Sequence, residues 1–408
     1  MYVSHRLDNQ RVASDVPISS AVHTESVHDT KTSRQIPLRL FASLERMARL
    51  VDISYCVGTT GINKPFICAN RCRDFPTLEL VKTWNTGMLM SDSCGYIAVD
   101  HGPNKAIIVA FRGTYSITNT VVDLATVPQD YTPYPVPDNG DDGQAREYQC
   151  QNCTVHSGFF SSWKNARRFV VPQLKLLREK YPSHKIHLVG HSLGGAVAAL
   201  AAVELKVGLH WDNILVTTFG EPRVGNKGVA DFVNQVFGLN DTAADASGPE
   251  DWIFRRVTHT NDPVPLLPPS QWGYRAHSGE IYVSKLELYP DLSDVRACLG
   301  ANDPTCIAGN EESEIKKNVL AKLVQQAKNG DDEDKNHNDD KYAPNSAEIW
   351  VLGNSRKPRP ISLGMPTLWE LFFAHRDYFW RLGLCVPGGN FGDWDKHHYY
   401  LEDRSDEL

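Results

Sequence analysis

The sequence predicts an α/β domain with a largely parallel central sheet, and two features carry that prediction. Short apolar runs with strand character alternate with longer helical patterns from about residue 40 onward. One such run, Ile186 to Val189, leads into Gly190-His191-Ser192-Leu193-Gly194, a G-x-S-x-G pattern, and a helix-forming run, Ala196 to Leu205, follows at once. Strand, sharp turn carrying a serine, then helix is the context of a nucleophile elbow.

Residues 1–38 are polar and aperiodic and read as a flexible leader. From Leu40 the pattern turns helical, with Leu44, Met47, Ala48 and Val51 three or four apart. Tyr96 to Val99 and Ala106 to Phe111 read as adjacent strands joined by a turn at Asp100 to Asn104. Phe159 to Tyr181 reads as an amphipathic helix with a kink expected at Pro172. After the elbow, strands are expected at Ile214 to Phe219, Trp252 to Thr258 and Tyr282 to Leu286. Two segments break the rhythm. Residues 128–149 are rich in Pro, Asp and Gly, and 308–345 form an acidic, polar insertion. The expected organisation is therefore leader 1–38, domain 39–386 and tail 387–408.

The glycines at 190 and 194 have a steric reason. The turn is tight enough for a Cβ at either place to collide with the adjoining strand or helix. Ser192 is expected in a strained backbone conformation with a helix N-terminus behind it. A purely structural glycine turn is the competing reading, which the flanking strand and helix disfavour.

A hydrophobic content of 41% supplies a sizeable core, and a net charge of -7 advertises no nucleic-acid surface. No apolar run approaches transmembrane length. Of nine cysteines, Cys68 and Cys72, Cys150 and Cys153, and Cys298 and Cys306 are closely spaced. Cys94 precedes an apolar run, where a free buried thiol fits, so Cys56 and Cys385 would tie the start of the fold to its end. Zinc and redox-active CxxC readings compete, but no second CxxC or paired histidine spacing accompanies them. Disulfides point to an oxidising compartment. The sequons Asn152-Cys153-Thr154 and Asn240-Asp241-Thr242 agree with a glycoprotein of the secretory pathway. No signal-peptide apolar region is visible in residues 1–36, and Ser405-Asp406-Glu407-Leu408 is similar to an ER-retrieval signal, so secretion and ER residence both stay open. The acidic run Gly330 to Asp340 lacks the glycine and closing glutamate of an EF-hand and reads as a solvated loop. No metal or cofactor is expected.

A serine hydroxyl needs a general base oriented by a carboxylate. In sheets with a nucleophile elbow the acid and then the histidine follow the serine in the chain. Asp262 closes the strand before Pro263 and Pro265. Local sequence leaves it open between triad acid and ordinary turn starter. Histidines beyond it are His277, His337, His375, His397 and His398. His337 lies in the acidic insertion and His397 and His398 in the tail. His375, near the expected Cys56–Cys385 closure, is favoured over His277. The oxyanion donors expected are the N–H of Leu193 and a group of Thr114, just after the strand Ala106 to Phe111.

Several blocks together resemble the fungal class 3 (triacylglycerol) lipases. They are Phe111-Arg112-Gly113-Thr114, Val155-His156-Ser157-Gly158-Phe159, the elbow through Gly195, Gly220-Glu221-Pro222-Arg223-Val224-Gly225-Asn226, Asp262-Pro263-Val264-Pro265 and His375-Arg376-Asp377-Tyr378-Phe379. The chain looks especially like the secreted yeast members, as Cys56-Val57-Gly58, Lys64 to Cys68 and Gly95 to Asp100 also match. The resemblance implies an α/β-hydrolase fold with flanking helices and an amphipathic lid. It implies Ser192, Asp262 and His375 as triad, Thr114 and Leu193 as oxyanion pair, and supports the Cys56–Cys385 closure. The insertion at 308–345 and the extension beyond Cys385 depart from the family pattern. The apolar stripe Ile117, Val121, Leu124 and Val127 follows the oxyanion residue, where this family carries its lid. Spacing alone reads the stripe as a core-facing helix. The implied activity is hydrolysis of acylglycerol esters at an oil–water or membrane interface; the sequence does not give the oligomeric state, and a monomer is expected. Feruloyl-esterase-like or phospholipase activity on the same fold, and a non-catalytic lipid-binding descendant, are the alternatives.

Overall fold

The computed structural model describes residues 34–87, 91–114, 128–131, 150–239, 248–307, 309, 346–352, 358–364 and 373–386. The expected lid at 117–127, most of the 308–345 insertion, Asn240 and the C-terminal tail lie outside the described residues.

In chain order the described strands are β1 (Arg34–Gln35), β2 (Leu78–Asn85), β3 (Cys94–Asp100), β4 (Ala106–Phe111), β5 (Pro128–Asp130), β6 (Thr154–His156), β7 (Lys185–His191) and β8 (Ile214–Phe219). They continue with β9 (Gly225–Asn226), β10 (Phe254–His259), β11 (Tyr274–Arg275), β12 (Glu280–Val283), β13 (Val295–Ala297), β14 (Ser346–Leu352) and β15 (Pro358–Gly364). Among the described residues the α-helices are α1 (Leu38–Ile53), α2 (Ser157–Lys180), α3 (Leu193–Val203) and α4 (Lys227–Phe237).

Nine strands form the main sheet in the order β1-β13-β12-β10-β8-β7-β4-β3-β2. The five middle strands, β12, β10, β8, β7 and β4, are parallel. The edges turn antiparallel, with β3 and β2 on one side and β13 and β1 on the other. The architecture is an α/β-hydrolase one, a mostly parallel sheet flanked by helices. Four small strands, β11-β9-β6-β5, make a second sheet, and β14 pairs antiparallel with β15.

Period-two alternation along β4 explains why both sheet faces are covered. Ile107, Val109 and Phe111 enter one core cluster with α2, α3 and α4. Ala106, Ile108 and Ala110 enter the other, with Leu40, Leu44, Met47 and Val51 of α1. Strands buried on both faces read as continuous apolar runs, which is why β4, β7 and β8 stand out in the sequence. In α4 the Asn226 side chain caps the start by accepting from the Val229 N–H, and Gly238 ends it in a left-handed conformation.

Three elements are placed differently from expectation. The strand expected at Tyr282 to Leu286 is Glu280–Val283, because the Ser284 N–H leaves for Asp294 O and Leu286 is 58% exposed. The strand expected from Trp252 starts at Phe254, since Trp252 closes the turn Pro249–Asp251. Arg34–Gln35, within the stretch read as leader, pairs with β13.

The parallel strands deliver their C-terminal ends to one edge of the sheet, the usual place for ligands in such folds. Thr114 follows β4, Ser192 follows β7, Gly220 follows β8 and Asp262 follows β10. These four strands are consecutive neighbours in the sheet, so their loops converge.

Candidate active site

Ser192 sits between β7 and α3 with φ 59° and ψ −130°, a conformation that non-glycine residues avoid. A Cβ on Gly190 would stand 2.1 Å from Gly194 O, and one on Gly194 would stand 2.3 Å from Phe111 O. Only glycine fits either side of the turn, as its geometry demands. The Ser192 N–H bonds to Phe219 O at 2.9 Å, which locks the elbow to the end of β8.

Asp262 and His375 meet beside it. Asp262 is fully buried and His375 nearly so. The His375 Nδ1–H points at both carboxylate oxygens, at 3.0 Å each. The Val264 N–H donates to Asp262 Oδ1 at 2.9 Å and the Tyr378 hydroxyl to Oδ2 at 2.6 Å. Three donors thus fix the carboxylate. Burial, then the negative Asp262, push the Tyr378 phenol well above its ordinary value, so it stays a donor. With Nδ1–H committed to Asp262, His375 Nε2 is left as the basic nitrogen. Neither Nε2 nor Ser192 Oγ, both buried, has a hydrogen-bond partner among the described residues.

Gly220 leaves room for His375, Tyr378 and Asp262 to meet. It has φ 57°, and a Cβ there would lie 2.7 Å from His375 Cε1, 2.7 Å from Tyr378 Oη and 3.0 Å from Asp262 Oδ2. His191, immediately before the serine, stacks on His375 with ring centroids 4.6 Å apart. Burial first, then the neighbouring His375, hold the His191 imidazole well below the usual histidine range, so it is neutral.

Thr114 lies in the loop after β4, half-buried. Arg112 pins that loop, its Nη1 donating to Val57 O at 2.7 Å and its Nε to Gly113 O at 3.2 Å. Gly113 packs so tightly against the elbow that a Cβ would stand 2.8 Å from Ser192 Cβ. Thr114 follows Gly113 in the chain, and Leu193 follows Ser192 at the start of α3.

His277, the other histidine considered for the base, is engaged elsewhere. Its Nδ1 faces Ser278 O at 2.7 Å and its Nε2 faces Glu221 Oε1 at 3.1 Å. Disulfides join Cys56 to Cys385, Cys68 to Cys72, Cys150 to Cys153 and Cys298 to Cys306. Cys94 is free and buried, and burial raises its thiol to about 11. No cluster of metal ligands occurs among the described residues. Asn152 of the first sequon is exposed.

Sequence reasoning assigned no role to Tyr378, Gly220 or His191. The signal was present for each, since all three lie inside motifs that carry Ser192 or His375, or in the block after β8. Their tasks depend on which loops meet across the sheet.

A serine on an elbow at the end of a parallel strand, beside a buried imidazole–carboxylate pair, defines an α/β hydrolase. Residues 108–272 match the family described as Lipase (class 3). That span includes Thr114, Ser192 and Asp262, and His375 lies beyond it. Over 382 residues the chain is 54% identical to the secreted mono- and diacylglycerol lipase 2 of Gibberella zeae, covering 89% of this chain and 86% of that one. Over 395 residues it is 51% identical to lipase A of Sodiomyces alcalophilus, covering 93% and 90%. The solved Lip2 lipase of Yarrowia lipolytica superposes with a TM-score of 0.65 at 29% identity, covering 87% of this chain and 98% of that one. The chain belongs to the class 3 lipases and is a carboxylic ester hydrolase.

Proposed function

We propose that Ser192, Asp262 and His375 form the catalytic triad of an acylglycerol lipase, with the N–H groups of Leu193 and Thr114 as oxyanion donors. The carrying observation is the His375 imidazole, held through Nδ1 by Asp262 with Nε2 free, beside the strained Ser192. Nε2 takes the Ser192 proton as Oγ attacks the ester carbonyl carbon. The oxyanion forms against the two backbone donors. Collapse expels the glyceride alkoxide, which leaves as the alcohol with the proton from Nε2. Water, deprotonated by Nε2, then attacks the acyl-enzyme, and the fatty acid departs as Ser192 regains its proton.

Mono- and diacylglycerols are the substrates that the name of the Gibberella zeae relative carries. Rates on emulsified monoolein, diolein and triolein, with phosphatidylcholine and methyl ferulate alongside, test this choice. Preferred cleavage of methyl ferulate would move the chain to the feruloyl-esterase reading. Ser192→Ala should abolish both hydrolysis and capture of a fluorophosphonate probe.

The lid reading rests on the place of the apolar stripe Ile117, Val121, Leu124 and Val127 directly after the proposed oxyanion residue Thr114, where class 3 lipases carry their lid. It calls for a rate jump when a short-chain ester passes its solubility limit. A linear rate through that limit would remove it. A route through the secretory pathway is supported by the four disulfides and by the word secreted in the relative's name.

A further inference from the structure

We propose that Tyr55 and His191 form a positioning relay that holds the base-bearing segment against the nucleophile elbow; the inference rests on the triad reading above. Tyr55 lies just beyond α1 and is fully buried. Its hydroxyl is 2.5 Å from His191 Nδ1, and His191 Nε2 is 2.9 Å from the backbone carbonyl of His375. A carbonyl oxygen only accepts, so Nε2 carries the ring hydrogen. Nδ1 of the neutral ring is then an acceptor, and the Tyr55 hydroxyl donates to it. The tyrosine thus selects the one tautomer that can grip His375 O. Without it the ring is free to carry its hydrogen on Nδ1, which would set a nitrogen lone pair against the carbonyl.

The same residue lies against the neighbouring loops of the site. Gly113 of the oxyanion loop approaches so closely that a Cβ there would stand 2.6 Å from Tyr55 Oη. A Cβ on Gly383 would stand 3.1 Å from Tyr55 Cε1. The Arg376 guanidinium lies over the Tyr55 ring, 5.4 Å from its centroid. Arg376 follows His375 and donates to Leu382 O and Gly383 O at 3.2 and 2.8 Å. One side chain therefore meets the elbow, the oxyanion loop and the segment of the base. The relay acts on His375 twice, through the bond to its carbonyl and through the stacked His191 ring. Because His191 is neutral, it adds no repulsion when His375 becomes an imidazolium. Tyr55 and His191 touch no reacting atom in this scheme; they are positioning residues.

The test compares Tyr55→Phe, His191→Phe and His191→Gln with wild type. The readouts are kcat and KM on a soluble short-chain p-nitrophenyl ester, together with the rate of fluorophosphonate capture. Tyr55→Phe and His191→Phe keep the rings and lose the bonds. Each should lower kcat by about 10- to 100-fold with KM within about threefold. His191→Gln places an amide N–H where Nε2 stands and should regain at least about tenfold over His191→Phe if that loss is 100-fold, and proportionally less if it is smaller. A Tyr55→Phe enzyme with kcat within twofold of wild type would overturn the relay, as would a His191→Gln enzyme no faster than His191→Phe. Tyr55→Phe removes a single oxygen, so it serves even if the His191 variants do not fold. A wild-type chain that neither hydrolyses the ester nor captures the probe would sink the triad itself. An active, labelled wild type with indifferent variants would sink the relay alone.

Discussion

The Tyr378 hydroxyl donates to Asp262 Oδ2 at 2.6 Å, under the same carboxylate that holds His375. The phenol ring packs edge-on against Phe219 and His191, so removing its oxygen leaves the packing in place. Tyr378→Phe should therefore leave Asp262 short of one donor without a cavity. Hydrogen bonds to charged groups contribute about 1.5–3 kcal/mol, so kcat should fall roughly 10- to 100-fold with KM nearly unchanged. Steady-state kinetics on tributyrin checks this, and an unchanged kcat would show that His375 and Val264 suffice to orient the carboxylate.

Gly220→Ala should be more damaging than its one methyl suggests. The new Cβ meets His375, Tyr378 and Asp262 within 2.7–3.0 Å, and φ 57° strains any side chain. The expected result is a loss of kcat of about 100-fold or more, because a shift of about 1 Å at a reacting group has that cost, with a lowered Tm. Normal activity at a normal Tm would mean that the loops have more room than this geometry gives them.

Acid should destabilise the fold through its buried histidines. Burial first of all pushes His187 down to about 3 and lowers His191 and His259. In the unfolded chain each titrates near about 6.5. Between that value and the lowered folded value the unfolded chain binds more protons, so stability falls as pH falls below about 6.5. The slope is at most about 1.4 kcal/mol per pH unit for each group. Burial raises the Asp52 carboxyl, which works in the opposite sense at the acid end of the range. That contribution is shared by wild type and His191→Gln, so the difference between their Tm curves from pH 8 to 5 isolates His191. The variant should show the shallower decline, and parallel curves would deny His191 a share.

The base segment should depend on the Cys56–Cys385 disulfide. The bond joins residues 329 apart, beside the bonds that Asp52 accepts from the Gly383 N–H and the Trp380 indole. The paired Cys56→Ser, Cys385→Ser variant should lose about 2–5 kcal/mol of stability. Below its own Tm it should also lose activity, because residues 373–386 carry His375. Full activity at reduced Tm would separate the closure from catalysis.

The sequence showed best what is buried on two faces or sterically forced. Continuous apolar runs located β4, β7 and β8, and the glycines around Ser192 announced the elbow. β2 escaped notice because Lys82 and Thr83 interrupt an edge strand whose core side is only Leu78, Leu80 and Trp84. β12 was displaced because Leu286, read as the end of the strand, lies in an exposed loop. Among site residues, Ser192 was legible from its neighbours in the chain, whereas Asp262 was ambiguous until the resemblance was added. Tyr55, Gly220 and Tyr378 matter through contacts across loops 100 or more residues apart, which local pattern does not encode.

The proposed role of His375, oriented by Asp262, is that of base for Ser192. Its most direct test is kcat of His375→Ala on emulsified tributyrin, with folding confirmed by Tm. A fall of about 10⁴-fold or more is expected, the scale on which triad histidines act. Retention of more than a tenth of wild-type kcat by a folded His375→Ala enzyme would contradict it and return the role of base to another histidine, His277 first.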